Sequence, residues 1–435
     1  MGKSISLFVF GLYGVSILGQ LKVISCDSGN RQKRLIHDLL DTYNPRARPV
    51  TNDNHTVGLK LTIRLQQIMD VDEKNEVIQT FLILEQMWND TRLAWNETEY
   101  GGIKQMTLRS KLIWTPDISV LNSANKDMDL REKNIRLFIN SAGEVLWMNP
   151  LILHTSCGMD IAHFPFDNQA CELRFGSWST SLRYMDVHPF EDTANLQYFV
   201  ENGEWILEST TSYRKLKKYG CCESEFPEVT YVLELHRRTL FYTMNFILPC
   251  VLIAVLALLV FLLPPESGER MSFGVTVLLS FTILILMLQA KLPVSSKVTP
   301  RIAVFYWSIM LEVSAGMFMA CLMLRFYYPE QSNAPLPGWV KECVLNYCAR
   351  IVGLKKTAER VQQALVIQGF HQEKLRESHH TAGDNMKVLT NHITKTESAE
   401  AKREEWRLAA SVINRVFTLL YVISITITIT VIFLF

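Results

Sequence analysis

The sequence carries almost no net charge and little that could serve as catalytic machinery. It has 44 Lys and Arg against 43 Asp and Glu, a formal charge of +1. That balance argues against a nucleic-acid binder, which needs clustered excess cation. The 10 histidines are dispersed, and the adjacent pair His379-His380 lies in a polar stretch. No His/Cys cluster has metal-ligand spacing, and neither a Gly-x-Ser-x-Gly elbow nor a Gly-rich phosphate loop occurs. An enzyme is therefore not expected, nor is a cofactor or a metal. Cysteine is sparse as well, with 9 in 435 residues. Two of them, Cys221 and Cys222 in "YGCCES", are adjacent, where chance gives roughly 0.2 such pairs. A bond between neighbours closes a small ring and distorts the intervening peptide, so the pair reads either as accident or as strain put to use.

What the sequence does contain is organised in two halves. Residues 1–25, "MGKSISLFVFGLYGVSILGQLKVIS", place Lys3 ahead of a Gly-interrupted apolar run too short to cross a bilayer comfortably. This reads as a signal peptide, with an extra membrane helix as the alternative. Three glycosylation sequons begin at Asn54, Asn89 and Asn96, and none follows residue 98. Their clustering supports an exported N-terminal half in which disulfides persist. From 26 to 238 the chain alternates apolar and polar residues in "LKLTIRLQQIMDV", "RLFINSAGEVLWM" and "VTYVLEL", after a short helical opening near "RQKRLIHDLLDTY". Short strands with regular turns over about 200 residues indicate an extracellular β-sandwich.

The second half changes character. Runs at 240–263, 271–292, 302–326 and 412–435 are nearly charge-free and long enough to cross a membrane. With the N-terminal half exported, the 327–411 loop is cytoplasmic, and the Lys and Arg near its ends agree with the positive-inside rule. Within it, 386–411 reads as an amphipathic helix running into the fourth span.

In the second span, Ser272, Thr276, Leu279, Ile283 and Leu286 are spaced four, three, four and three, which puts them on one helical stripe. Small polar residues of this kind serve as packing glue in many membrane helices. The sharper reading is a pore lining built from symmetric copies, with Glu269 as an acidic ring and Leu279 and Ile283 as hydrophobic rings.

Cys157 and Cys171 bracket "CGMDIAHFPFDNQAC", with Asp160, Phe164-Pro165-Phe166-Asp167 and Gln169 inside. This segment resembles the signature loop of the Cys-loop (pentameric ligand-gated) receptors. "WTPD" at 114–117 and the four spans agree, over a stretch from about residue 30 to the end. "SGERMSFGVTVLLS" and the Cys221, Cys222 pair are similar to α-type nicotinic acetylcholine receptor subunits. The resemblance implies disulfides Cys157–Cys171 and Cys221–Cys222, a pentamer of this chain or of related subunits in the plasma membrane, including postsynaptic membrane, and contact with lipid. It further implies a small neurotransmitter-like agonist and permeating monovalent cations. A subunit that works or modulates only within heteromers is the alternative.

The resemblance also implies site residues. Glu73 and Arg237 match a charged pair coupling the two halves, while Phe164, Pro165 and Phe166 would touch the 291–300 linker, including Pro300. Trp178, Tyr219 and Phe226 match walls of an aromatic cage beside Cys221 and Cys222. Leu121 and Ile83 stand where the family pattern has a tyrosine and a tryptophan, unless Trp88 or Trp147 fills that gap. Gln289-Ala290-Lys291 lacks the acid many relatives carry at the outer mouth, so weak calcium permeation is expected. Cys26, Cys343 and Cys348 receive no role.

Overall fold

The computed structural model describes residues 31–125, 135–292, 298–328, 336–354 and 384–434, with scattered positions between 357 and 370. The expected signal peptide and Cys26 lie outside the described residues, as do 293–297 of the linker.

Helix α1 (Arg31–Leu40) is the first described element and buries Leu35 on the sandwich. Ten strands follow. They are β1 (Val57–Asp72), β2 (Val77–Asn89), β3 (Gln105–Arg109), β4 (Ile118–Val120) and β5 (Arg136–Asn140), then β6 (Glu144–Ser156), β7 (Asn168–Ser177), β8 (Met185–Pro189), β9 (Trp205–Lys217) and β10 (Phe226–Arg237). Six pair in the order β3-β5-β6-β2-β1-β8 and four in the order β4-β7-β10-β9. The inward residues of both sheets, among them Leu59, Leu61, Ile63, Leu84, Phe175 and Leu233, form one core. Alternation is broken in "LQQIMD" because β1 shifts register between Leu65 and Gln67 and again between Ile68 and Asp70. Each bulge inserts a residue that the pairing partner does not match. The β5–β6 hairpin turns on Gly143, whose φ is 87° and whose Cα faces the Asp90 carbonyl too closely for a Cβ.

Among the described residues, four helices are long and apolar enough to cross a membrane. These are α2 (Leu240–Leu262), α3 (Arg270–Gln289) and α4 (Arg301–Tyr327), with the fourth span, Lys402–Val431, inside the 51-residue α6 (Asp384–Leu434). In α2 the backbone widens to a π turn over Thr243–Ile247 just before Pro249, which has no N–H to continue the α-helical ladder. Between α4 and α6 sits α5, residues 338–351, a short helix the sequence pattern did not single out. Its Val340, Leu345 and Ala349 pack on Ala409 and Val412 of α6.

Candidate functional site

Three groups of residues separate in space. The first surrounds β7 and β10. Asp117, the acid of "WTPD", accepts hydrogen bonds from the Ser177 and Ser179 hydroxyls at 2.7 and 2.5 Å, and from the Ser179 N–H at 3.2 Å. It thereby fixes the turn that presents Trp178, whose ring stays 71% exposed. Leu121 lies on the same sheet, with a side-chain methyl against Gly176.

Across the sheet, the Tyr219 and Phe226 rings meet edge-on at 5.6 Å. The Tyr219 hydroxyl donates to Glu228 at 2.7 Å, and Arg174 donates to the other Glu228 oxygen at 2.7 Å. Lys217 lies 5.1 Å from the Tyr219 ring centre. Burial by itself would push the Glu228 carboxyl up, but the Arg174 and Tyr219 hydrogen bonds and the charges of Arg174 and Lys217 together hold it below the usual carboxylate range. Burial, then the same carboxylate, pushes the Tyr219 phenol up. Cys221 and Cys222 are bonded to each other at the tip between β9 and β10.

Ile83 stands apart from this group. It lies on β2, on the outward face of the six-stranded sheet, half-buried and opposite Arg64 and Pro150 in register. Trp88 and Trp147, the alternatives for the missing cage walls, are 3% and 1% exposed inside the sandwich core, which removes them from any open surface.

The second group joins the two halves. Arg237, the last residue of β10, is fully buried. Its guanidinium donates to Glu73 at 2.5 Å, to Glu204 at 3.0 Å, and to both oxygens of Asp167 at 2.8 and 3.2 Å. The rings of Trp205, Phe164 and Tyr242 stand 4.1, 4.9 and 5.2 Å from it. Tyr242, on the first turn of α2, donates to Glu204 at 2.6 Å. Burial lowers the readiness of Arg237 to hold its proton, but hydrogen bonds to Asp167 and Glu73 outweigh it and raise the net value. Burial also pushes the Glu73 carboxyl up, against the pull of Arg237.

The Cys157–Cys171 disulfide closes the loop below this cluster. Phe164 from that loop is buried with the membrane helices rather than with the sandwich, edge-on to Tyr242 at 4.9 Å. Leu292, from the 291–300 linker expected to meet the loop, is buried in the same cluster, and 293–297 of that linker lie outside the described residues. Among the described residues the loop meets α2 through Phe164 and the first residue of α4, where Arg301 N–H donates to the Ala162 carbonyl at 3.1 Å. The buried Pro300 caps that helix. Phe166 is 52% exposed, because its neighbour Phe164 takes the inward position.

The third group is the stripe on α3. Ser272, Thr276, Leu279, Ile283 and Leu286 are all exposed in the single chain, while Gly274, Val277, Phe281, Ile285 and Leu288 face the other helices. Glu269 at its base is exposed. The adjacent Arg270 turns inward, where its guanidinium meets the carbonyls of Leu263 and Phe261 and the Met323 sulfur. The two charges therefore point apart. Gln289, Ala290 and Lys291 are exposed at the other end.

The sequon residues Asn54, Asn89 and Asn96 are exposed, as is Cys343, while Cys348 is half-buried. Sequence reading passed over Asp117, Arg174, Glu204, Glu228 and Tyr242 as site members. The signal that could have found Arg174 and Glu228 is a charge of each sign on neighbouring strands, though other polar residues alternate along both.

A β-sandwich joined through a buried ionic cluster to four helices of membrane-spanning length defines a multi-pass membrane protein. The chain belongs to the neurotransmitter-gated ion-channel family. Residues 32–239 match the neurotransmitter-gated ion-channel ligand binding domain, and residues 246–382 match the neurotransmitter-gated ion-channel transmembrane region. It is 36% identical over 340 residues to the neuronal acetylcholine receptor subunit alpha-9-I of Oncorhynchus mykiss, covering 78% of this chain and 59% of that protein. It is 34% identical over 344 residues to subunit alpha-3 of Mus musculus, covering 79% of this chain and 69% of that protein. For subunit alpha-9 of Homo sapiens the identity is 34% over 333 residues, covering 77% and 69%. The chain spans less than two thirds of the length of the alpha-9-I relative.

Proposed function

We propose that this chain is a subunit of a pentameric, agonist-gated cation channel. The observation that carries the reading is the α3 stripe. Ser272, Thr276, Leu279, Ile283 and Leu286 form one line, polar at its Ser272 end, on the exposed side of α3 and opposite the face that packs on the other helices. Five copies around an axis turn that line into a pore. Glu269 then forms an acidic inner ring that favours cations, and Leu279 and Ile283 form a constriction that empties of water when closed. The lysines at position 291 would repel divalent ions at the outer mouth, so monovalent cations are the expected cargo.

The route from agonist to pore follows the contacts. A ligand held between Trp178, Tyr219 and Phe226 pulls on the tip carrying Cys221 and Cys222. Tyr219 lies on Glu228 of β10, and β10 ends in Arg237, whose partners reach Phe164, Tyr242 and α4. Binding that favours one arrangement of this chain of contacts selects one arrangement of the helices.

A second reading has its own support. Leu121 and Ile83 are aliphatic where the family cage is aromatic, and the burial of Trp88 and Trp147 in the sandwich core supports reading that gap as real. Losing two aromatic contacts weakens a quaternary amine by about 1–4 kcal/mol, or roughly 5- to 1000-fold. Acetylcholine is then a poor or silent agonist of the homomer, and the true ligand is less cationic or more apolar, or a related subunit supplies the missing face. Native mass spectrometry of the chain expressed alone, with current recording against an amine panel, separates these readings. A pentamer with agonist-evoked current supports the homomeric channel, a silent pentamer supports the heteromeric subunit, and a monomer or dimer overturns the proposal.

A further inference from the structure

We infer that Tyr327 is a positioning residue for permeation: its hydroxyl holds the Glu266 carboxyl at the back of the inner pore mouth, and Arg407 of α6 braces that hold. The inference rests on the reading of α3 as a pore lining. Glu266 lies in the turn Pro265–Ser267 between α2 and α3, shortly before Glu269, and is exposed.

Tyr327 is the last residue of α4, and its hydroxyl donates to Glu266 Oε1 at 2.7 Å. Helix α4 stands behind α3. Gly274, on the buried face of α3, lies so close to Met317 of α4 that a Cβ there would meet its side chain at 2.8 Å. A donor at the end of α4 therefore draws the carboxyl away from the line of Ser272 and Thr276. Among the described residues no Lys, Arg or His is ion-paired with Glu266, so the hydroxyl is what positions it. Tyr327 is itself held. The Arg407 guanidinium stands 5.3 Å from its ring centre, within cation–π range. Beside them, Phe326 and Trp406 stack at 5.7 Å, and Lys341 of α5 meets Glu405 at 2.8 Å. The cytoplasmic end of α6 thus reaches the pore mouth through two side chains, Arg407 and Tyr327.

A hydroxyl that donates to a carboxyl both fixes its place and draws on its charge. With that hydroxyl removed, the Glu266 side chains of five copies are free to turn to the axis. They then form a second acidic ring on the cytoplasmic side of Glu269. Cations arriving from the cytoplasm meet a stronger local field, whereas those arriving from outside do not.

The test compares the parent with Tyr327→Phe, which keeps the ring against Arg407. In the full chain purified in lipid nanodiscs, a water-soluble carbodiimide with glycine ethyl ester labels accessible carboxyls, and labelled peptides are mapped. Label on Glu266 should rise about fivefold in the variant, the loss of one hydrogen bond, with label on Glu269 unchanged. Single channels are then recorded in inside-out patches, with Leu279→Thr present in both so that no agonist is needed. Outward unit conductance should rise roughly 1.5- to 3-fold with little change in the inward value, and the rise should shrink between about 30 and about 300 mM salt as the field is screened. A tyrosine that only packed would show no such salt dependence. Adding Glu266→Gln should abolish the rise. Unchanged label on Glu266, or raised label with unchanged outward conductance, overturns the inference and leaves the pore reading standing. A chloride current, or none, from Leu279→Thr alone overturns both.

Discussion

Replacing Arg237 with Gln should be the most damaging single change at the junction between sandwich and membrane helices. The guanidinium is fully buried and holds three carboxylates within 2.5–3.2 Å. Their side chains differ in exposure, 10% for Glu73, 2% for Asp167 and 44% for Glu204. Glu204 can turn to water, so its loss counts for little. Glu73 and Asp167 cannot, and each becomes a buried acid without its counter-charge. Breaking a buried pair in this way costs about 3–5 kcal/mol, a large part of a typical domain's stability of about 5–15 kcal/mol. For a domain of roughly 200 residues that lowers the melting temperature by about 6–20 °C. The assay is thermal unfolding of the purified chain in nanodiscs, read together with surface expression. Adding Asp167→Asn should restore part of the loss, since it removes the stranded partner. Arg237→Lys keeps the charge but loses the two-pronged contact with Asp167, and should fall in between. An Arg237→Gln protein that unfolds within about 2 °C of the parent would refute the reasoning.

Leu121→Tyr with Ile83→Trp, the second on the face offered to the neighbouring subunit, should raise acetylcholine sensitivity by roughly 5- to 1000-fold; concentration–response curves that do not move argue against the cage assignment. Glu228 gives a pH signature. Its folded pKa is depressed, so its contribution is fully present above the unfolded value of about 4.3 and is lost as pH falls from there towards the folded one. The melting temperature of the parent should therefore drop more steeply than that of Glu228→Gln as pH falls below about 4.3, and parallel curves would contradict the pairing with Arg174 and Tyr219. Opening the Cys157–Cys171 bridge by double Ser substitution frees a loop of 13 intervening residues and should cost about 3 kcal/mol. Unchanged thermal stability of that variant would show that the loop is held by Phe164 and Arg237 alone.

The parts of this molecule governed by local periodicity were legible in the sequence. Alternation located the strands, charge-free length located the spans, and four-three spacing located the exposed α3 stripe. The parts governed by long-range register were not. Arg174 and Glu228 are 54 residues apart, and only the pairing of β7 with β10 brings them together under Tyr219. Asp167, Glu204 and Glu73 reach Arg237 from three different strands or turns, so the sequence named a pair where the fold builds a cluster. The loop tip was only partly legible for a related reason. Its three apolar residues look equivalent in sequence, yet the backbone turns Phe164 into the membrane core and leaves Phe166 at the surface. Glu312, a charge inside a span that the sequence reading passed over, has its partners on α6 more than 100 residues away, and nothing local announces them.

The central claim is that α3 lines a cation pore gated at Leu279, and one recording tests it without knowledge of the agonist. Wetting a ring of threonines costs less than wetting a ring of leucines. Leu279→Thr should therefore conduct spontaneously in cells expressing it, with a reversal potential that shifts with external sodium and ignores external chloride. A spontaneous current that follows chloride, or no current beyond that of the parent, would contradict the account.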